Sequence, residues 1–275
     1  CSRGDVEVVD RLLRDKNTIK INHADKQGRT PLFVACSSGH LEVVNRLLQE
    51  KDTIQINKAG DYGSPLFNVC HNGRLEVVDR LLQEKDTIQI NKAIATGTWQ
   101  GTAIGKDGLT PLFGACQRGH TEVVDRLLQE KNTIQINQAT KNGHTPLYVA
   151  CLRGYTEVVN RLLQEKDTIL INQANKDGVT PLNVASDQGH TAVVRILLQH
   201  LPGLDLNLKD KWGNTALMAA REKNGKNKEY FTMLSKMGIT KGCKNFWAND
   251  PDPSMTDGVV NTDDIVQLLT NAGAQ

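Results

Sequence analysis

A ten-residue segment that recurs along the chain constrains the fold more than any other feature. It reads Glu-Val-Val-Asn-Arg-Leu-Leu-Gln-Glu-Lys from Glu42, and close copies begin at Glu76, Glu122 and Glu157, with a variant at Glu7. The phrase Thr-Ile-x-Ile-Asn follows each copy and ends at Asn22, Asn57, Asn91, Asn137 and Asn172, at intervals of 35, 34, 46 and 35 residues. Repeats of this length cannot bury a hydrophobic face alone, so we predict that neighbouring units stack on one another.

Each repeat opens with a strong helix start. Thr30 supplies a hydroxyl N-cap, and Pro31 occupies the first helical position, where a missing N–H leaves no hydrogen bond unmade. The same start occurs at Thr110-Pro111, Thr145-Pro146 and Thr180-Pro181, with Ser64-Pro65 as a variant. Gly39 and its equivalents Gly119 and Gly189 suit the left-handed end of a helix. The pattern predicts a short first helix in these repeats.

The recurring segment itself is typical of an amphipathic second helix. In the copy at Glu42, the apolar stripe consists of Val43, Val44, Leu47 and Leu48. Glu42 precedes Arg46 by four residues, and we expect these two side chains to pair on the helix surface. The β-branched stretch that follows predicts an extended connection, which ends in a turn such as 25–28.

This succession of a helix, a tight turn, a second helix and a protruding turn resembles the ankyrin repeat. The resemblance rests on Gly-x-Thr-Pro-Leu at 28–32, Ala35-Cys36, Gly39-His40 and the segment from Glu42 to Leu48, and it covers nearly all of residues 1–220. It implies an all-α ankyrin-repeat solenoid of helix-turn-helix units joined by β-turn or hairpin fingers, with about six full units and an N-terminal half unit.

Two features depart from the family pattern. An aromatic residue stands where the family usually has histidine, at Phe33, Phe67, Phe113 and Tyr148. The phrase Thr-Ile-x-Ile-Asn replaces the usual Gly-Ala-Asp, which predicts a more strand-like connection between units.

We expect residues 1–275 to form a single ankyrin-repeat domain. Its predicted parts are a truncated unit at 1–20, full units at 21–55, 56–89, 90–135, 136–170 and 171–205, and an elaborated C-terminal capping unit at 206–275. Cys1 to Asp5 align with Cys36 to His40, so the sequence opens inside a repeat. Because a solenoid needs a polar cap at each end, we expect the sequence to be a fragment of a longer chain.

The unit at 90–135 carries an insertion at 94–105 that is rich in threonine, isoleucine and glycine and contains Trp99. Three interpretations stay open: a loose surface loop, an extended hairpin finger with Trp99 exposed at its tip, or a Trp99 that folds back onto the stack. Tryptophan is enriched among interface hot spots, so Trp99 is a candidate contact residue.

The C-terminal unit diverges from the others. Its first helix is recognisable in the segment Trp212–Ala220, with Ala216 in place of proline. Two segments compete for its second helix, Glu229–Leu234 and Asp264–Leu269, and the latter is closer to the family pattern. The segment between them, from Lys241 to Thr262, has little periodicity and is expected to be a loop.

Composition and motifs exclude several classes of function. The net charge of +2 is too small to favour nucleic acid, and without a long apolar run we expect no membrane insertion. The sequence contains no His-Glu-x-x-His, no phosphate-binding loop and no Gly-x-Ser-x-Gly. We therefore predict that this segment is not an enzyme and uses no cofactor or metal.

The cysteines and most histidines follow the repeat. Cys36, Cys70, Cys116 and Cys151 share one position, where we expect small apolar core residues with reduced thiols. Reduced cysteines favour an intracellular location, in the cytoplasm or the nucleus. The histidine of each Gly-His pair, at His40, His120 and His190, is expected to hydrogen-bond to the neighbouring turn.

The repeats differ from one another mainly before each Thr-Pro-Leu and at the end of each first helix. In ankyrin proteins these positions line the concave groove and the finger tips that contact partners. The resemblance therefore implies a binding surface of mixed charge that suits a protein or peptide and is presented by a monomer. The candidate residues are Lys26, Gln27, Arg29, Asp61, Tyr62, His71, Trp99, Leu109, Gln117, Arg118, Lys141, Asn142, His144, Leu152, Arg153, Asp177 and Trp212.

The resemblance also leaves other roles open. Some ankyrin stacks recruit substrates for an enzyme on the same polypeptide, and others sense a small nucleotide. Neutral variation at exposed positions is a further explanation of the differences between repeats. The family also implies that an asparaginyl hydroxylase modifies Asn57, Asn91, Asn137 and Asn172, which lie near the finger turns.

Overall fold

The computed structural model describes residues 2–14, 19–94, 107–200, 203–221 and 262–274. These residues form helices and turns with no strand, which confirms the predicted all-α fold. The chain divides into two compact units, Cys1–Leu170 and Ile171–Gln275. No helix among the described residues is long and apolar enough to cross a bilayer.

The first compact unit contains a single helix followed by four helix pairs among its described residues. The helices are α1 (Val6–Arg14), α2 (Pro31–Ser38), α3 (Leu41–Leu48), α4 (Pro65–His71), α5 (Leu75–Leu82), α6 (Pro111–Arg118), α7 (Thr121–Leu128), α8 (Pro146–Arg153) and α9 (Thr156–Leu163). The first helices α2, α4, α6 and α8 pack side by side in one row, and the second helices α3, α5, α7 and α9 form another. Helix α1 packs on α3, as expected for the second helix of a half unit.

The predicted caps of the first helices are present. In α2 the Thr30 hydroxyl accepts a hydrogen bond from the Phe33 amide at 3.1 Å, and Pro31 is the first helical residue. Gly39 ends the helix with φ of 76°, a conformation that favours glycine. Helices α6 and α8 repeat both caps, whereas α4 (Pro65–His71) has Ser64 as its N-cap and Asn72 as its C-cap.

The core lies between the two rows of helices. Val43, Val44, Leu47 and Leu48 of α3 are all buried, and the same four positions are buried in α5, α7 and α9. Phe67 and Phe113 are the largest fully buried side chains of the first helices. Burial of one such side chain is worth roughly 1.5–3 kcal/mol, and the repetition of this stripe stabilises the stack.

The arginine of each second helix pairs differently from the sequence prediction. Arg46 contacts Glu50 of its own repeat at 3.0 Å and Asp10 of the preceding repeat, rather than Glu42. Equivalent bonds are made by Arg80 to Glu84 and Asn45, by Arg126 to Glu130 and Asp79, and by Arg161 to Glu165 and Asp125. The predicted pair at Glu42 is therefore wrong, because stacking brings a second acceptor to the opposite side of the arginine.

The connections between repeats are turns, which corrects the predicted extended and strand-like course. The Thr53 and Ile54 amides both donate to the Glu50 carbonyl, at 3.1 and 2.9 Å. An asparagine from the preceding connection then holds the turn: the Asn22 side chain accepts from the Gln55 amide and donates to the Thr53 carbonyl. Because this side chain satisfies the backbone groups, the segment needs no neighbouring strand.

The second compact unit contains α10 (Pro181–Gln188), α11 (Thr191–Leu198), helical residues 216–221 and α12 (Thr262–Asn271). Helix α12 packs on α11, and its Ile265 and Leu269 are fully buried. It thus occupies the position of a second helix, in the segment closer to the family pattern. The competing segment Glu229–Leu234 and the predicted loop before α12 lie outside the described residues, apart from Thr262.

Candidate partner-binding surface

The finger turns, defined as the residues before each Thr-Pro-Leu, Ser-Pro-Leu or Thr-Ala-Leu, project exposed polar side chains. Lys26 and Gln27 are exposed at the first finger. Asp25 organises this turn, since its carboxylate accepts from the amides of Gln27 and Arg29, both at 2.9 Å. These bonds, chiefly that from the Arg29 amide, lower the pKa of Asp25. The Arg29 guanidinium pairs with the same carboxylate at 2.7 Å, so the finger is internally held.

Adjacent fingers are joined to each other. The Asp61 amide donates to the Gln27 carbonyl at 3.1 Å, and a side chain on Gly60 would lie 2.5 Å from the Gly28 oxygen. Farther along, the Lys141 amide donates to the Asp107 carbonyl at 3.0 Å, and the two side chains form an ion pair. The predicted contact residues Asp61 and Lys141 therefore each lie in a finger that is hydrogen-bonded to the preceding finger. The neighbouring Asn142 is exposed.

Aromatic rings support two of the fingers. Tyr62 is half-buried, with its ring centroid 6.4 Å from that of Phe33. His144 stacks on Tyr148, with centroids 4.6 Å apart. Phe33 and Tyr148 occupy the position where the family usually has histidine, so this departure supplies ring platforms beneath the predicted contact residues.

In the second compact unit, the finger residues Asp177 and Lys211 are linked in the same way. The Lys211 amide donates to the Asp177 carbonyl at 2.8 Å, and the side chains pair at 2.7 Å. The Lys211 ammonium also lies 4.4 Å from the centre of the Trp212 ring. Trp212 is 63% exposed, the most exposed large hydrophobic side chain among the described residues. Trp99, the other predicted tryptophan, lies outside the described residues.

Burial corrects part of the predicted surface. Leu109 is fully buried, so the prediction that its side chain contacts a partner is wrong. Its carbonyl accepts from the Ile94 amide at 3.0 Å, which closes the base of the insertion whose residues 95–106 are not described. His71 and Gln117 are also buried and lie beneath the surface, at 4% and 3% exposure. His71 and Gln117 directly follow the repeat cysteines of α4 and α6, two first helices that pack against each other.

The ends of the first helices show a graded exposure. Arg118, at the end of α6, is exposed, whereas Leu152 and Arg153, at the end of α8, are half-buried. These three remain candidates for partner contact. Arg74, which the sequence prediction omitted, is exposed between α4 and α5, and its side chain lies over Gly39 of the preceding repeat. Its signal was present in the sequence, since it replaces the histidine of the Gly-His pair.

A compact polar cluster joins α4 and α6. The Arg118 Nε donates to His71 Nε2 at 3.0 Å, and His120 Nε2 lies 3.1 Å from the His71 carbonyl. The His71 ring stacks on Phe67 with centroids 5.8 Å apart. Burial, followed by the charge of Arg118, lowers the pKa of His71 to about 4. His71 is therefore neutral near pH 7, with Nε2 as an acceptor and the proton on Nδ1.

Two of the three repeat histidines, His40 and His120, contact neighbouring units as predicted. His40 Nε2 lies 3.0 Å from the Ser2 carbonyl, which matches the contact between His120 and the His71 carbonyl. The four repeat cysteines are buried free thiols, and burial raises the pKa of each. Their predicted role as core residues is confirmed. Among the described residues, no His, Cys, Asp and Glu side chains form a group that could hold a metal.

The candidate hydroxylation sites have a structural role. The Asn57 amide accepts from the Gln89 N–H at 2.8 Å and donates to the Thr87 carbonyl. Asn91 and Asn137 make the same two bonds to the connection that follows the next second helix, and Asn172 makes them inside the second compact unit. Hydroxylation stays a prediction. Mass spectrometry that finds no added oxygen atom on these residues in protein from its native cell would contradict it.

Comparison with known families agrees with the repeat geometry. A model of ankyrin repeats in three copies matches residues 1–94 and 66–173, and a model in many copies matches residues 162–218. These matches cover most of the sequence. The chain belongs to the ankyrin repeat family. Ankyrin repeats generally mediate protein–protein interaction and are typically not enzymes.

Solved structures show the same ankyrin fold. The chain is similar to the ankyrin repeat domain of human ASB11, with a TM-score of 0.60 and 24% sequence identity. The match covers 79% of this chain and 88% of that domain. Among curated protein sequences, none matches this ankyrin chain.

Proposed function

We propose that the chain is a protein-binding scaffold that contacts a protein or peptide through its finger turns and the ends of its first helices. The observation that carries this proposal is that the arginines of the first compact unit fall into two groups, one bonded inside the stack and one exposed. The second-helix arginines bond to acceptor side chains of neighbouring repeats. Arg74 and Arg118, in contrast, are exposed at the ends of the first helices. Joined, ring-supported fingers precede the opposite, N-terminal ends of the first helices.

The remaining parts of the proposal concern its setting. The domain at 1–275 acts as a monomer inside the cell, in the cytoplasm or the nucleus, without catalysis or nucleic-acid binding. Four buried free thiols in the described residues support a reducing compartment.

A differential capture experiment tests the proposed surface. The finger variant carries Tyr62→Ala and His144→Ala, and the matched control carries Lys51→Ala and Lys85→Ala at exposed positions after the second helices. Proteins from the native cell should bind the unchanged chain and the lysine control but be lost from the finger variant. Equal recovery by all three chains would show that the fingers are not the binding surface.

A further inference from the structure

Arg118 is held by a neutral partner rather than by a carboxylate. Its Nε donates to His71, and none of the ion pairs among the described residues includes Arg118. The two terminal nitrogens of a guanidinium whose Nε is fixed can still form a bidentate pair with a carboxylate. Arg118 therefore combines an oriented side chain with a full positive charge at an exposed position.

The second-helix arginines provide an internal comparison. Each of Arg46, Arg126 and Arg161 bonds to two carboxylates, and their guanidinium charge is compensated inside the stack. Arg118 and Arg74 receive no such compensation from the described residues. The positive charge at this part of the first-helix row is thus available to a ligand.

The sequence builds this arrangement with substitutions unique to two repeats. Gly114 stands in α6 where α2 and α8 carry valine, and a Cβ there would lie 3.1 Å from the Phe67 ring and 3.4 Å from the His71 Cβ. The missing side chain leaves room for the Phe67 ring and the His71 Cβ between the two helices. His71 in turn replaces Ser37 of the first repeat, so the acceptor for Arg118 is specific to this place in the stack.

We propose that Arg118, oriented by His71, and Arg74 bind the carboxylates of an extended acidic peptide that runs along the ends of the first helices. This inference rests on the proposed function and names the chemistry of the partner. The two arginines lie over successive repeats, because Arg118 reaches back to His71 and Arg74 reaches back over Gly39. Packed helices are about 10 Å apart, which matches one three-residue turn, about 9 Å, of a polyproline II chain, whose side chains at every third position share a face. Acidic side chains should therefore recur at every third residue of the ligand.

A synthetic peptide pair tests the proposal directly. One fluorescent peptide carries glutamate at every third position between glycine and serine, and its control carries glutamine instead. Fluorescence anisotropy with the full chain should show binding of the glutamate peptide that is about tenfold tighter than that of the control, as expected for charge-assisted hydrogen bonds. Equal binding of the two peptides would overturn the proposal.

Matched protein variants locate the contact. Arg118→Gln should weaken binding of the glutamate peptide about tenfold, whereas Lys51→Gln, which removes the same charge from an exposed position elsewhere, should leave it unchanged. Equal effects of the two variants would show a general charge attraction and contradict a defined site. A peptide of equal charge with consecutive glutamates should bind more weakly than the peptide with glutamate at every third position. If oligothymidylate binds more tightly than that peptide, the site would instead be assigned to a polyanion.

His71 is a positioning residue, and its role needs a separate readout. His71→Leu should weaken peptide binding and move the Arg118 Nε–H resonance in the NMR spectrum, and His71→Gln, which keeps an acceptor, should restore part of both. Thermal unfolding checks that each variant folds. An unchanged Arg118 resonance in the folded His71→Leu variant would refute the positioning role.

The two proposals can fail separately. If the finger variant loses its cellular partners while the glutamate peptide does not bind, the scaffold function stands and the acidic ligand is wrong. If the peptide binds as expected while all chains capture the same proteins, the acidic site stands and the finger surface is wrong.

Discussion

Arg126 of one repeat lies 2.6 Å from Asp79 of the preceding repeat, measured from Nε to the carboxylate oxygen, and this contact recurs along the second helices. Each arginine also reaches a glutamate at the end of its own helix. The bonds join successive second helices on the side away from the core. The buried apolar stripe makes no contact on that side. They form a ladder whose acceptor is aspartate in three repeats and Asn45 in one.

The presence of Asn45 leads to a prediction about the ladder. Asp79→Asn should change the free energy of unfolding by less than about 0.5 kcal/mol, because an amide oxygen accepts the same hydrogen bond and the pair is partly exposed. Arg126→Ala removes both bonds and the packing of the arginine stem, and should cost about 1 kcal/mol. Urea denaturation measures both, and an equal cost for the two variants would show that charge, rather than the hydrogen bond, dominates.

The asparagine bridges between turns should protect particular amides from hydrogen exchange. Asn57→Ala removes the acceptor of the Gln89 amide, so exchange at Gln89 should accelerate and the free energy of unfolding should fall by about 1–2 kcal/mol. The equivalent amide of Gln135 depends on Asn91 and serves as the control within the same protein. Faster exchange at both amides would indicate general unfolding instead of a local bridge.

Gly114 should resist replacement although it lies inside a helix, where alanine normally stabilises. An alanine Cβ would meet the fully buried Phe67 ring at 3.1 Å, and neighbouring core residues leave that ring little freedom to move. We expect Gly114→Ala to destabilise the protein by about 1–2 kcal/mol despite the gain in helix propensity. A higher midpoint of thermal unfolding would contradict this packing.

The low pKa of His71 makes stability depend on pH. The unfolded chain binds the proton near pH 6.5 and the folded chain near about 4, so the unfolded state holds more protons between these values. Stability contributed by neutral His71 is complete above pH 6.5 and falls as the pH is lowered towards 4. The loss should approach roughly 3 kcal/mol, at 1.36 kcal/mol for each unit of pKa difference.

Urea denaturation at several pH values measures this dependence, and His71→Leu should flatten most of it. His120 contributes in the same direction, since burial also lowers its pKa, so a shallow slope should remain. An NMR titration of the His71 ring provides the independent check. A midpoint near pH 6.5 in the folded protein would show that burial does not lower the pKa of His71, and would contradict the prediction.

Local patterns accounted for the helices. Thr30 and Pro31 start a helix and Gly39 ends it. Each of these effects depends only on backbone a few residues away, so it can be predicted from the local sequence. The apolar stripe at Val43 to Leu48 follows from helical periodicity alone. The helix boundaries, the buried cysteines and the bridging histidines were therefore predictable from the sequence.

Contacts between repeats could not be predicted from these local patterns. The sequence offered Glu42 as a partner for Arg46 four residues away, yet stacking brought Asp10, 36 residues away, to the same guanidinium. Likewise, a turn held by asparagine replaced the expected extended connection, and Leu109 turned inward although its position varies between repeats. The sequence by itself determined the repeat and its helices, because those depend on neighbouring residues. Tertiary structure alone decided which side chains meet across repeats, such as His71 and Arg118, 47 residues apart, because that depends on how the helices stack.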